Sequence, residues 1–157
     1  MNAPIQAPVT GKECLVSSHS ALYALVGFYS AFNTRDLGAM SRNWAQTEEI
    51  AMANPLGGLH RGWEEIRGVY ERIFNGPAKV YVEFHDYTLH ESETLFYAVG
   101  RERGYLERDG RRLDLAIRTS RVFRKLDSRW QQVHHHGSIE DPALLERYQK
   151  AVRGEAF

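Results

Sequence analysis

The C-terminal half of the chain alternates between apolar and polar positions. Leu113, Leu115, Ile117, Thr119, Arg121 and Phe123 share one parity, while Asp114, Arg118, Ser120 and Arg124 take the other. That period of two marks a strand with one covered face. The sequence Leu126-Asp127-Ser128-Arg129 breaks the run before 130–139, so residues 117–138 read as a hairpin. Asp109-Gly110 joins 95–108 to 112–125 in the same way. A further run, 79–90, is rich in Val, Tyr and Phe.

Upstream the period becomes helical. Leu22, Leu25, Val26, Tyr29 and Phe32 give a stripe over 19–33, with Tyr23 and Phe28 widening it and Ser17 or Ser18 as the N-cap. Asp36 caps a shorter helix running to about Trp44, and 49–53 is a short strand candidate. Asn54-Pro55-Leu56-Gly57-Gly58 is a loop. Residues 62–75 form the clearest helix: Trp63, Ile66, Tyr70, Ile73 and Phe74 share a face, and Gly76-Pro77 ends it. Asp141-Pro142 opens a last helix over 143–152. The expected division is a loose N-terminal arm (1–16), one domain (17–140), and a C-terminal helix and tail (141–157). Helices followed by an antiparallel meander make the fold α+β. A strongly curved sheet wrapped on three N-terminal helices would form a cone with a pocket inside.

Composition narrows the function classes. The 157 residues suit one domain, and Lys+Arg and Asp+Glu are both 20. That balance argues against nucleic acid as a partner. Cys14 stands alone, which excludes an internal disulfide framework and a Cys-rich zinc site. No apolar run approaches the roughly 18 residues of a membrane span, and no secretory signal pattern is evident. The cytoplasm is therefore the expected compartment, with no membrane partner, no cofactor and no metal.

The order helix-helix-loop-helix-sheet, the helix G-W-E-E-I-R-G-V-Y (62–70) and the ending W-Q-Q-V-H-H-H-G-S (130–138) resemble the nuclear transport factor 2-like superfamily over residues 17–139. Its SnoaL-like and ketosteroid isomerase-like branches are the most similar. The ending also resembles the association domain of calcium/calmodulin-dependent protein kinase II. In that resemblance Arg101 and Arg121 match two pocket arginines, while Gly137 and Ile66 replace a further arginine and a histidine. Against ketosteroid isomerase, the general-base position holds Asn54. Its oxyanion positions hold Phe28 (or, one residue on, Tyr29) and Arg121. An amide cannot accept a proton near neutral pH, so steroid isomerisation is not expected. The resemblance implies a homodimer through the outer sheet face, lined by Glu102, Arg118, Ser120, His134 and His136. It also puts Val133 and His135 inward.

Arg121 projects from a mostly apolar face and needs an anion or strong acceptors. Two readings compete. Arg101 and Arg121 together would seat a small organic anion on one concave wall. Alternatively, each pairs with an internal acid such as Glu48, Glu49 or Asp86. Tyr29 and Tyr97 present hydroxyls inward or satisfy backbone acceptors, Trp44 sits at the pocket mouth, and Asn54 lies in the loop beside it. His135 lines the pocket and is the candidate acid or base. No H-x-x-x-H helix accompanies the His run, so it is not read as a metal site. Three functions follow: a small-molecule binding protein, a SnoaL-like enzyme using His135 or a Tyr for proton transfer, and an association module.

Overall fold

The computed structural model describes residues 3–157; the first two residues of the expected arm lie outside them. Helices α1 (Ala21–Asn33) and α2 (Leu37–Asn43) come first, then strands β1 (Ala51–Ala53) and β2 (Leu59–Arg61) and helix α3 (Gly62–Asn75). Strands β3 (Lys79–Glu91), β4 (Leu95–Arg108), β5 (Arg111–Leu126) and β6 (Arg129–Ser138) follow, and helix α4 (Pro142–Val152) closes the chain. The six strands form one sheet in the order β2-β1-β6-β5-β4-β3. The α+β class is as the sequence implies. The sheet is mostly antiparallel: β1 runs parallel to β6, and β2, with no period of its own, pairs with β1.

Local signals account for the helix ends. Ser20, rather than Ser17 or Ser18, caps α1, its hydroxyl accepting from Tyr23 N at 3.1 Å. Asp36 and Asp141 cap α2 and α4 as expected. Arg61, at the N-cap of α3, has no side-chain cap; Glu65 reaches back to its backbone N–H at 2.8 Å. Helix α1 buries residues on more than one side, because α2 and the sheet both pack against it.

Two irregularities bend the sheet over the helices. A bulge lies between His85 and Thr88 of β3, where Asp86 adopts φ 51°, and another lies at Val122/Phe123 opposite β6. Gly100 faces the first bulge so closely that a Cβ there would sit 2.6 Å from Tyr87 Cβ. The N-terminal segment runs along the free edge of β3. Ile5 and Val9 exchange backbone hydrogen bonds with Tyr87 and Phe84, and Val9 is buried. A covered edge is protected from pairing with another chain. Among the described residues, no helix is long and apolar enough to cross a membrane.

Candidate functional site

The concave face is set by strand parity. From β4 it receives Phe96, Ala98, Glu102 and Leu106, and from β5 the predicted set Leu113 to Phe123. From β6 come Trp130, Gln132, His135 and Gly137; the Val122/Phe123 bulge changes parity between Gln132 and His135. Phe28 and Tyr29 of α1 and Ile66 and Tyr70 of α3 close over this face.

Arg121 is buried at its centre with three of its five N–H groups engaged. Nη2 donates to Glu102 Oε1 at 2.7 Å, Nη1 to Gln132 Oε1 at 2.8 Å, and Nε to the Tyr29 hydroxyl at 3.3 Å. The guanidinium also stacks 3.4 Å from the Phe28 ring centroid. Tyr29 donates in turn to Glu102 Oε1 at 2.8 Å. The network extends from Gln132 Nε2 to Asn43 Oδ1 (3.5 Å) and from Asn43 Nδ2 to Ala24 O (2.9 Å). Burial lowers the Arg121 pKa, but Tyr29 and Glu102 more than offset it, so the ordinary value is exceeded. Burial, then the Glu102 charge, raise Tyr29 well above the usual tyrosine range.

Beside this network lies a void of about 40 Å³, bordered by Phe28, Tyr70, Glu102, Arg121, His135 and Tyr148, and by Asn54 and Pro55 of the loop after β1. Both hydrogen bonds to Glu102 fall on Oε1. Nδ1 of His135 lies 3.4 Å from Ser120 O, and burial and then Arg121 pull its pKa well below the ordinary value. The ring is therefore neutral at pH 7. A carbonyl only accepts, so this contact favours the tautomer with the proton on Nδ1, which leaves Nε2 as an acceptor. Tyr148 reaches the void from α4; burial and then Glu102 hold its hydroxyl protonated.

The expected two-arginine seat does not form. Arg101 is exposed on the convex face, its Nη1 3.6 Å from Glu140 Oε2. The reason is pairing: Arg101 lies opposite Arg118, which faces outward. Tyr97 is outward too, stacked on His90 at 4.6 Å. Glu102, expected at the outer face, is instead the internal acid that Arg121 meets; Glu49 pairs with Arg124. Trp44 is not at the mouth. It is fully buried, its Nε1 donating to the Tyr70 hydroxyl at 3.3 Å, because Trp44 bridges to Gln132 deep in the sheet. Val133 sits at the irregular position and is only partly buried. His134 Nδ1 lies 2.9 Å from Ala51 O, and His136 is exposed. Asn54 borders the void, but its Oδ1 accepts from Leu56 N at 2.8 Å and holds the loop. No group of His, Cys, Asp and Glu among the described residues is placed to hold a metal ion.

A family model described as SnoaL-like domain matches residues 22–142. The F-box protein SKIP8 of Arabidopsis thaliana is 26% identical over 136 residues, covering 84% of this chain and 55% of that protein. The chain thus spans about half the length of the curated relative it matches. A solved structure of a candidate dehydratase of the NTF2-like family from Streptomyces avermitilis has a TM-score of 0.67 at 18% identity, over 73% of this chain and 89% of that one. A candidate calcium/calmodulin-dependent protein kinase type II association domain from Thiobacillus denitrificans gives 0.64 at 22% identity, over 78% and 96%. At these identities the likeness is one of fold.

Proposed function

This chain belongs to the SnoaL-like domain family, and we propose that it binds a small, electrically neutral molecule inside the cone. The observation that carries the reading is convergence: Glu102, Arg121, His135 and Tyr148, from four elements, border one void in a mostly apolar interior. Apolar residues of similar volume often build such a core at no loss of stability. Buried titratable groups around a cavity point to a binding or reactive site. The Arg121 charge is already met by Glu102, so a carboxylate guest gains little. A guest with a hydroxyl or N–H finds acceptors in Glu102 and in His135 Nε2.

The test is an NMR titration of the His135 ring with 1-hexanol and with hexanoate. Hexanol shifts the ring signals saturably in the wild type and more weakly in Glu102→Gln. Stronger binding of hexanoate would restore the anion reading and overturn this one.

A second reading, catalysis of proton transfer, is favoured by the neutral His135 on the same void as Glu102. The dehydratase name of the Streptomyces avermitilis protein makes hydroxylated carbonyl compounds the first substrates to try. Full turnover in a folded His135→Gln variant would exclude His135 as the base. Assembly is compatible with either reading. We propose a homodimer through the convex face, where Tyr97 and Val99 are exposed at 40% and 46%.

A further inference from the structure

The interior void is too small to hold a whole ligand. Its volume of about 40 Å³ is far below the roughly 300–1,000 Å³ of a pocket that takes up a whole ligand. Asn54 and Ile73, which border it, also border a groove of about 710 Å³ between α3, the loop after β1 and the end of α4. The two spaces are therefore neighbours, with these two side chains between them. The Asn54 Oδ1–Leu56 N bond fixes the loop at that boundary, and Gln149 Nε2 donates to Leu56 O at 2.8 Å, tying α4 to the same loop.

The groove differs in chemistry from the void. Leu56, Val69, Ile73, Pro77 and Val152 give it an apolar lining. Gly57, where an added Cβ would meet nothing within 4 Å, and Gly68 leave parts of the wall bare. Its charged groups include Glu71, Arg72 and Arg153, and Arg153 is paired with Glu155. We propose that the groove is the outer compartment of the same site and that it holds an unbranched apolar chain. The ligand class is then a neutral amphiphile: a hydroxyl or amide head at Glu102 and His135, and an alkyl or acyl tail lying along α3. This rests on the interior reading for the head, while the tail rests on the groove alone.

A chain-length series separates the two. The probes are 1-butanol, 1-hexanol and 1-octanol, titrated against the intact protein by NMR. Burying each methylene strengthens binding about fourfold while apolar wall remains to be covered. In the wild type the affinity climbs at that rate from butanol to octanol. In the double variant Leu56→Asp/Val152→Asp, both at partly exposed positions, butanol binds as in the wild type and the gain with length is lost. In Glu102→Gln all three alcohols weaken by one common factor and the slope persists. Butanol binding with no gain in length, or the same gain in the groove variant, overturns the tail compartment and leaves the head reading intact. A preserved slope that ignores Glu102→Gln overturns the head reading instead. No binding by any of the alcohols overturns both.

Discussion

Replacing Glu102 by Gln keeps the shape of the side chain and deletes the charge facing Arg121. The pair is 2.7 Å apart, and the two side chains expose only 2% and 5% of their surface, so solvent screens it little. At an effective dielectric of about 20, the attraction at that distance is about 6 kcal/mol. Desolvation of two ions offsets much of it, and the amide oxygen of Gln still accepts from Tyr29 and Arg121. Breaking one side of a buried pair costs about 3–5 kcal/mol; the retained hydrogen bonds place Glu102→Gln near about 3. A domain of this kind has about 5–15 kcal/mol in total. With a urea m-value of about 2 kcal/mol/M, the midpoint followed by circular dichroism falls by about 1.5 M. Adding Arg121→Met removes the orphaned charge, and most of the loss returns. A midpoint shift below about 0.5 M for the single variant, or a double variant no more stable than the single, refutes the reasoning.

Acid stability reports on His135. Its folded pKa lies well below the ordinary value, so the unfolded chain binds the extra proton. The contribution is fully present above the unfolded pKa of about 6.5 and is lost as pH falls toward the folded value. Between pH 7 and 5.5 the wild type loses more stability than His135→Gln in urea titrations, by up to about 1 kcal/mol; equal losses would place the ring in water. Tyr70, held up to about 12 by burial, behaves oppositely. Its protonated state stabilises the fold below pH of about 10 and that share fades as pH rises through its folded value, so alkaline absorbance titration finds it silent until unfolding. Val99→Asp places a charge in the proposed dimer patch, and sedimentation velocity should show a monomer where the wild type sediments as a dimer; a monomeric wild type sinks the interface. Gly104→Ala drives a Cβ to within 1.9 Å of Tyr81 O, backbone that cannot swing aside. It costs about 2–3 kcal/mol in the same urea assay, and a loss below about 0.5 kcal/mol would mean β3 yields freely.

The fold was legible because each long element carries its own period and its own stop. Residues 62–75 and the Asp141-Pro142 helix start needed only local physics. The short strands β1 and β2 are three residues each, too brief for a period, and exist through pairing with β6 and each other. The inward face of β4 was also within reach. Asp109-Gly110 is a two-residue turn, so Arg108 pairs with Arg111, Glu102 with Ile117 and Arg101 with Arg118. Directly paired residues share a face. Once Ile117 and Arg121 are inward, Glu102 is inward and Arg101 and Tyr97 are not. His135 depended on something no local rule supplies, the Val122/Phe123 irregularity that shifts parity between Gln132 and His135. Tyr148 belongs to a helix whose docking is tertiary. Only Tyr148 and Ala151 of α4 are buried, and nothing in their spacing names the cavity.

For the neutral guest proposed above, the ion pair serves as a selector rather than as a brace. Since apolar residues would fill positions 102 and 121 at no greater cost, stability alone does not explain a guanidinium and a carboxylate there. Together they present a wall of zero net charge that is nonetheless strongly polar. An anion entering the void must face Glu102 without a free cation, because Arg121 is held by Glu102, Gln132 and Tyr29. A cation faces Arg121 at short range in an interior where charges are poorly screened. Only a neutral guest avoids both penalties, and His135, kept neutral by burial and then by the same Arg121 charge, offers it an acceptor. On the proposed reading, the Arg121–Glu102 pair is therefore what decides which guests the cavity admits.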